Sequence, residues 1–148
     1  CNAVYLTGGL ASLRELPDNS VDFIWSHSVL EHVRVHEFAE EMRELRRLLK
    51  PAGRASHNIN YKDHLAEALN NLRFSDALWE SDFFVRSGFY TNRLRHHEIM
   101  EVFRHEGYKV MFEETGVWPA LPTPRTALAP RFQAMNDEQL LIRTAHAV

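Results

Sequence analysis

The chain has 148 residues, 25% charged and 45% hydrophobic, with a formal net charge of −3 and a pI near 6.3. That length and composition describe one globular α/β or α+β domain, and the small negative charge offers no global attraction to nucleic acid or to an anionic membrane. A single cysteine excludes an internal disulfide framework and a cysteine-based zinc site, which fits a reducing, cytoplasmic setting, and no apolar run approaches the ~18 residues of a membrane span.

Taken in order, Val4 to Leu6 read as a short strand, followed by the only adjacent glycines, Gly8 and Gly9. The segment Pro17-Asp18-Asn19-Ser20 is a turn, and Val21 to Trp25 is a short apolar run of the kind buried on both faces of a parallel sheet, which predicts helices on either side. Ser26, His27 and Ser28 then form a polar loop at the strand's carboxyl end, where open α/β sheets bind their ligands. From Val35 to Lys50 the apolar residues Val35, Phe38, Met42, Leu45 and Leu49 recur at helical spacing, with Pro51 and Gly53 as the stop and Arg54 to Ile59 as the next strand.

Residues 61–93 interrupt this alternation. Asp63 to Leu72 read as helical, and Phe74, Leu78, Trp79, Phe83 and Phe84 either pack a core of their own or face a ligand. An amphipathic helix follows from Arg95 to Glu106, ended by Gly107. Tyr108 to Glu113 alternate as a half-buried strand, a proline-rich loop runs from Trp118 to Pro130, and Leu140 to Val148 read as a closing strand.

The ordered set Pro17, Asp18, Asn19, Ser20, Asp22, then Val29, Leu30, Glu31, His32, Val33, then Leu45, Arg46, Arg47, Leu48, Leu49, Lys50, Pro51 and Gly53 resembles the class I S-adenosylmethionine-dependent methyltransferases. The resemblance implies a partial Rossmann-like α/β sheet with flanking helices and a carboxyl-terminal antiparallel strand pair. It also implies the cofactor S-adenosylmethionine. No Gly-rich turn follows an apolar strand in this chain, and residue 1 is Cys rather than Met, so residues 1–148 are expected to be one domain lacking its first strands and main cofactor cradle. Such a half sheet is expected to expose a strand edge and apolar surface.

By the same resemblance, Ala11, Ser12 and Leu13 fall where adenine is contacted, although no carboxylate stands at residues 10–13. Ser26, His27 and Ser28 should face the methionine part, with His32 nearby. The insertion at 61–93 is expected on the substrate side. Asn58, Asn71, Arg73, Tyr90, Asn92 and Arg93 would line a pocket for a small polar acceptor, such as a saccharide or glycan intermediate methylated at oxygen. His57 or His64 would serve as general base. The alternative is that Asn70 and Asn71 end a helix and the arginines pair with Glu80 or Asp82.

Two further readings stand beside the enzyme. One is a non-catalytic domain of the same fold that binds or scaffolds a partner. The other is a histidine-ligated metal enzyme: nine histidines occur, His32 and His36 lie one helical turn apart, and His36-Glu37 opens an H-E-x-x-H pattern, but Glu40 stands at its last position. The expected ligand is therefore a small molecule, with no metal, no nucleic acid and no membrane span, and with the oligomeric state open.

Overall fold

The computed structural model describes residues 2–148, so Cys1 lies outside the described residues. A four-stranded mixed sheet in the order β1-β2-β4-β3 organises the chain, with β1 at Val21–His27, β2 at Leu49–Asn60, β3 at Glu113–Val117 and β4 at Ile142–Ala147. β1 and β2 are parallel, and β4 is antiparallel to both β2 and β3. A parallel pair needs a crossover, and the helix at Phe38–Leu48 supplies it. The short helix Leu10–Arg14 is α1, this crossover helix is α2, and the small helices Asp76–Trp79 and Asp82–Val85 are α3 and α4. His96–His105 forms α5, with Pro130–Gln133 as α6 and Asp137–Leu141 as α7.

Helix α2 buries Phe38 and Met42 one turn apart, and places Glu40 and Glu41 at its amino end and Arg46 and Arg47 at its carboxyl end, which suits the helix dipole. It starts three residues later than the apolar spacing predicts and ends at Leu48. Pro51 and Gly53 therefore lie inside a strand rather than between elements. The register passes from Val21↔Leu49 to Phe23↔Arg54, so the residues between form a bulge on β2. A Cβ on Gly53 would stand 3.0 Å from the carbonyl oxygens of Lys50 and Val21, so a side chain would force this bulge open.

The helices cover one face of the sheet. Leu30, Phe38, Met42, Ile59, Tyr61, Ile99, Met100, Phe103, Ala145 and Ala147 form its core. On the other face Phe23 is 57% and Trp25 66% exposed, so the expectation that β1 is buried on both faces is overturned. The apolar run is real, but among the described residues no helix packs over that side. β1 is also an edge strand. Val4, Tyr5 and Leu6 are exposed and form no strand, which corrects the first expected element.

Residues 63–72 are not the expected helix. The buried Asp63 carboxylate accepts the amides of Leu65 (2.9 Å), Ala66 (2.6 Å) and Asn70, and Glu67 is left-handed at φ 56°, so a side-chain-organised loop wins over the helix. Only a 3-10 turn remains, at Asn70–Arg73. Leu69 and Leu72 join Leu128, Phe132 and Leu140 in a second apolar cluster beside the sheet. The expected strand at 108–113 begins only at Glu113, because the Tyr108 hydroxyl donates to the Met42 carbonyl at 2.9 Å and the Met111 and Phe112 amides both reach the Val148 carbonyl. The expected closing strand starts at Ile142, after α7.

Two buried polar groups hold this arrangement. Arg95, 1% exposed, donates to the carbonyls of Tyr61 (2.9 Å), Leu140 (3.1 Å) and Ile142 (2.6 Å), joining the start of α5 to the end of β2 and the α7–β4 junction. On the helix-covered face of the sheet, His57 of β2 is 2% exposed and shares a 2.8 Å hydrogen bond through Nδ1 with the Ser26 hydroxyl of β1. Burial lowers the His57 pKa to about 4.

Replacing Arg95 with Met should cost about 3–5 kcal/mol in urea unfolding, since it leaves several buried carbonyls without donors. Lys should recover only part of this loss, because one ammonium cannot spread over the same carbonyls as a planar guanidinium. For His57, the folded pKa lies below the unfolded value of 6.5, so between those values the unfolded chain takes up a proton that the folded chain refuses. Stability should therefore fall by about 3 kcal/mol as pH drops from 6.5 to 4, and His57→Asn should flatten that slope in a pH series of melts.

Candidate functional site

The motif residues of the first third bond chiefly to one another. Arg47 donates to the carbonyls of Leu13 and Leu16, each at 2.9 Å, and to Asp18 (2.5 Å) and Glu44 (2.9 Å). The Asn19 and Ser20 amides bond the carbonyls of Arg47 and Leu48, and Lys50 grips Asp22 at 2.7 Å. These contacts fix α1 and the 17–20 turn against α2, and thereby set where β1 begins and where its carboxyl end emerges.

At that end Ser28 is left-handed at φ 52°, an uncommon state for a residue with a side chain, and its amide donates to the Asn58 carbonyl at 2.9 Å. The chain then turns through a 3-10 segment, Leu30–His32. Asn92 secures this turn with both of its ends: its amide nitrogen on the side chain donates to the carbonyls of Leu30 (2.8 Å) and Val33 (3.0 Å), and its main-chain N–H donates to the Glu31 carbonyl at 2.7 Å. His32 Nδ1 lies 3.0 Å from the Tyr90 carbonyl, and its exposed ring faces that of His64 with centroids 5.0 Å apart. A carbonyl only accepts, so Nδ1 carries the proton in this contact. In the neutral ring Nε2 then keeps a lone pair, which makes it a proton acceptor.

The sequence-predicted residues divide between those free to meet a ligand and those already committed. His27, His32, His64 and the exposed Arg73 present side chains to solvent, with Ser28 and Asn58 half-buried. Ala11 is exposed on α1, where Ser12 and Leu13 are half-buried; the Ser12 hydroxyl accepts from the Gly8 amide at 3.0 Å. Ser26 spends its hydroxyl on His57. Asn71 donates to the Thr91 hydroxyl at 2.9 Å, and the Tyr90 hydroxyl donates to Glu80 at 3.1 Å. Arg93 donates to the carbonyls of Asn71 (3.3 Å) and Phe74 (2.8 Å) and to Asp76 (2.5 Å), and its guanidinium lies over Trp79 and Phe132. The partner of Arg93 is thus Asp76, not Glu80 or Asp82. Trp79 stacks on Phe74 and Phe84, while Leu78 and Phe83 are exposed, so the insertion's aromatics split between an internal stack and its surface.

Glu31 is a site residue that the sequence reading passed over. Its carboxylate is buried, neither oxygen has a partner at good hydrogen-bond geometry among the described residues, and burial raises its pKa. It borders a void of about 10 Å³, close to the space of one water molecule, which Asn71 and Arg93 also line. The signal was available only as its place inside the Leu30–Val33 motif. His36 stands apart from this cluster, exposed beside Glu37, and among the described residues no three His, Cys, Asp or Glu side chains converge as metal ligands.

The sequence family described as a methyltransferase domain matches residues 2–56. No curated protein matches the chain in sequence. Among solved structures, a SAM-dependent methyltransferase from Archaeoglobus fulgidus superposes with a TM-score of 0.54 at 12% identity, over 95% of this chain and 64% of that one. The 4+2 cyclase SpnF does so with a TM-score of 0.51 at 15% identity, over 90% of this chain and 50% of that one. The chain thus spans about half to two thirds of the length of the structures it matches. The sequence match on the motif-bearing third and the fold shared with these structures make the chain similar to class I S-adenosylmethionine-dependent methyltransferase domains.

Proposed function

We propose that residues 1–148 form part of a single methyltransferase domain that transfers a methyl group to oxygen of a small polar acceptor, a saccharide or glycan intermediate being the acceptor class, with residues 61–93 on the substrate side. The observation that carries this reading is the exposed, tautomer-fixed His32 at the carboxyl end of β1, beside the segment that joins the insertion to the sheet. S-adenosylmethionine, when bound, supplies a methyl group already activated by a positively charged sulfur. What the chain must add is alignment and a place for the acceptor's proton.

His32 meets the second need. An acceptor hydroxyl within reach of Nε2 would yield its proton there as its oxygen gains the methyl group, with the Tyr90 carbonyl holding the ring through Nδ1. The exposed His64 ring lies beside it, with centroids 5.0 Å apart. His57 is less suited to the role, since its ring sits on the helix-covered face and Nδ1 is engaged by Ser26. The residues present fit only one side of the cofactor: the β1 end and α1 offer walls, but residues 10–13 hold no carboxylate for adenine and no Gly-rich turn is present for the methionine part.

That partial fit favours a second reading, a non-catalytic binding domain of the same fold. Calorimetric titration of S-adenosylmethionine into this chain and into the full-length natural protein separates the two. Binding by the longer protein, with methyl transfer to hydroxyl-bearing acceptors, is the expected result. Binding by neither would favour the non-catalytic domain. In the full-length protein His32→Asn should lower turnover by roughly 10²–10⁴-fold while leaving cofactor affinity intact. Undiminished turnover would remove His32 from the reaction.

A further inference from the structure

The other end of β2 carries a cavity that the methyl-transfer reading does not use. Pairing of β2 with β4 begins at His57, so on that side residues 50–55 have no neighbouring strand. The segment 107–111 passes by instead, and between it and β2 lies a cavity of about 310 Å³, at the lower end of the ~300–1,000 Å³ range of small-molecule sites. Its walls are apolar where Phe103, Val110 and Ala147 face it.

Its charged side chains are of one sign. Arg46, Lys50, Arg54 and Lys109 all line it, and no acidic side chain does. Lys50 is neutralised by Asp22, outside the cavity. Among the described residues the other three have no carboxylate partner: there Arg46 reaches the Gly107 carbonyl, and Arg54 the Met111 sulfur, a weak acceptor. His57 lines the same space, and its Nε2 is buried without a hydrogen-bond partner among the described residues. A buried nitrogen left unpaired is costly, and a ligand group that met it would recover that cost.

We propose that this cavity is a second ligand site, taking a small carboxylate with an apolar body: the body against Phe103 and Val110, the carboxylate toward Arg46, Arg54 and Lys109, and a hydrogen bond at His57 Nε2. The site is separate from the carboxyl ends of β1 and β2. With the Ser26 hydroxyl donating to Nδ1, the neutral imidazole presents Nε2–H, the donor that a carboxylate requires. Low local dielectric and a cationic rim both favour the anion over a neutral isostere.

Phenylacetate is the probe, with phenylacetamide as its neutral counterpart and inorganic phosphate as a charge without an apolar body, each titrated while the His57 imidazole resonances are followed by NMR. Saturable displacement of the His57 signals by phenylacetate, at least tenfold tighter than by the amide and absent with phosphate, is the expected pattern. The double variant Arg46→Gln, Lys109→Gln should bring phenylacetate down to the level of the amide with an unchanged melting temperature. The proposal is overturned by unmoved His57 resonances at millimolar phenylacetate. Equal affinity for acid and amide, or indifference to the double variant, would overturn it as well.

Discussion

The buried guanidinium of Arg95 is the constraint on which the arrangement depends. Among the described residues it has no carboxylate partner; it is surrounded by main-chain carbonyls at the ends of β2 and α7 and the start of β4, and it lies over the Tyr61 ring. Burial lowers its pKa to about 10, which still leaves it charged at neutral pH, so the carbonyls must continue to replace the water it lost. That requirement pins the closing strand, the insertion's first turn and the last large helix to one point. Everything placed at the carboxyl end of the sheet is referred to this junction.

The motif that makes the family resemblance legible acts structurally. Asp18, Asn19, Ser20 and Asp22 lie far from Arg47, Leu48 and Lys50 in sequence and bond them in space. This mutual satisfaction explains why a turn, a strand, a helix and a second strand could be placed from sequence alone: each piece of the motif is the partner of another. Where satisfaction comes from an unforeseen partner, the reading failed. Asp63 gathers three amides into a loop where a helix was expected, and the bulge on β2 takes Pro51 and Gly53 into a strand that punctuation rules had closed off. The uncovered Phe23 and Trp25 show the same limit, since an apolar run reports a preference for burial and not whether another element supplies it.

The candidate site was legible in outline only. Polar residues at the strand ends were expected and are there, but Asn71, Asn92 and Arg93 prove to be bound internally, tying the insertion to the sheet. Their density in the sequence reflects the need to seat a loop-rich insertion whose backbone has few regular partners. The tautomer of His32 depends on a carbonyl 58 residues away, and Glu31 owes its raised pKa to burial that no local pattern reports. Fold likeness adds little at this level, because a cyclase and a methyltransferase share the architecture. The reaction has to be argued from the side chains left free once the scaffold has taken its share.

Strand β2 shows how that division works along a single element. At its carboxyl end it supplies Asn58 and Asn60 beside the β1 turn, with β4 paired alongside from His57 onward. At its amino end the bulge at Gly53 shifts the chain by several residues against β1, and β4 no longer accompanies it. One end is thus drawn into the sheet and the other is left open between unneutralised cations. His57 sits at the boundary, its Nδ1 belonging to the sheet through Ser26 and its Nε2 to the cavity. A side chain placed there can serve packing through one nitrogen and recognition through the other, and this is why its burial need not be read as purely structural.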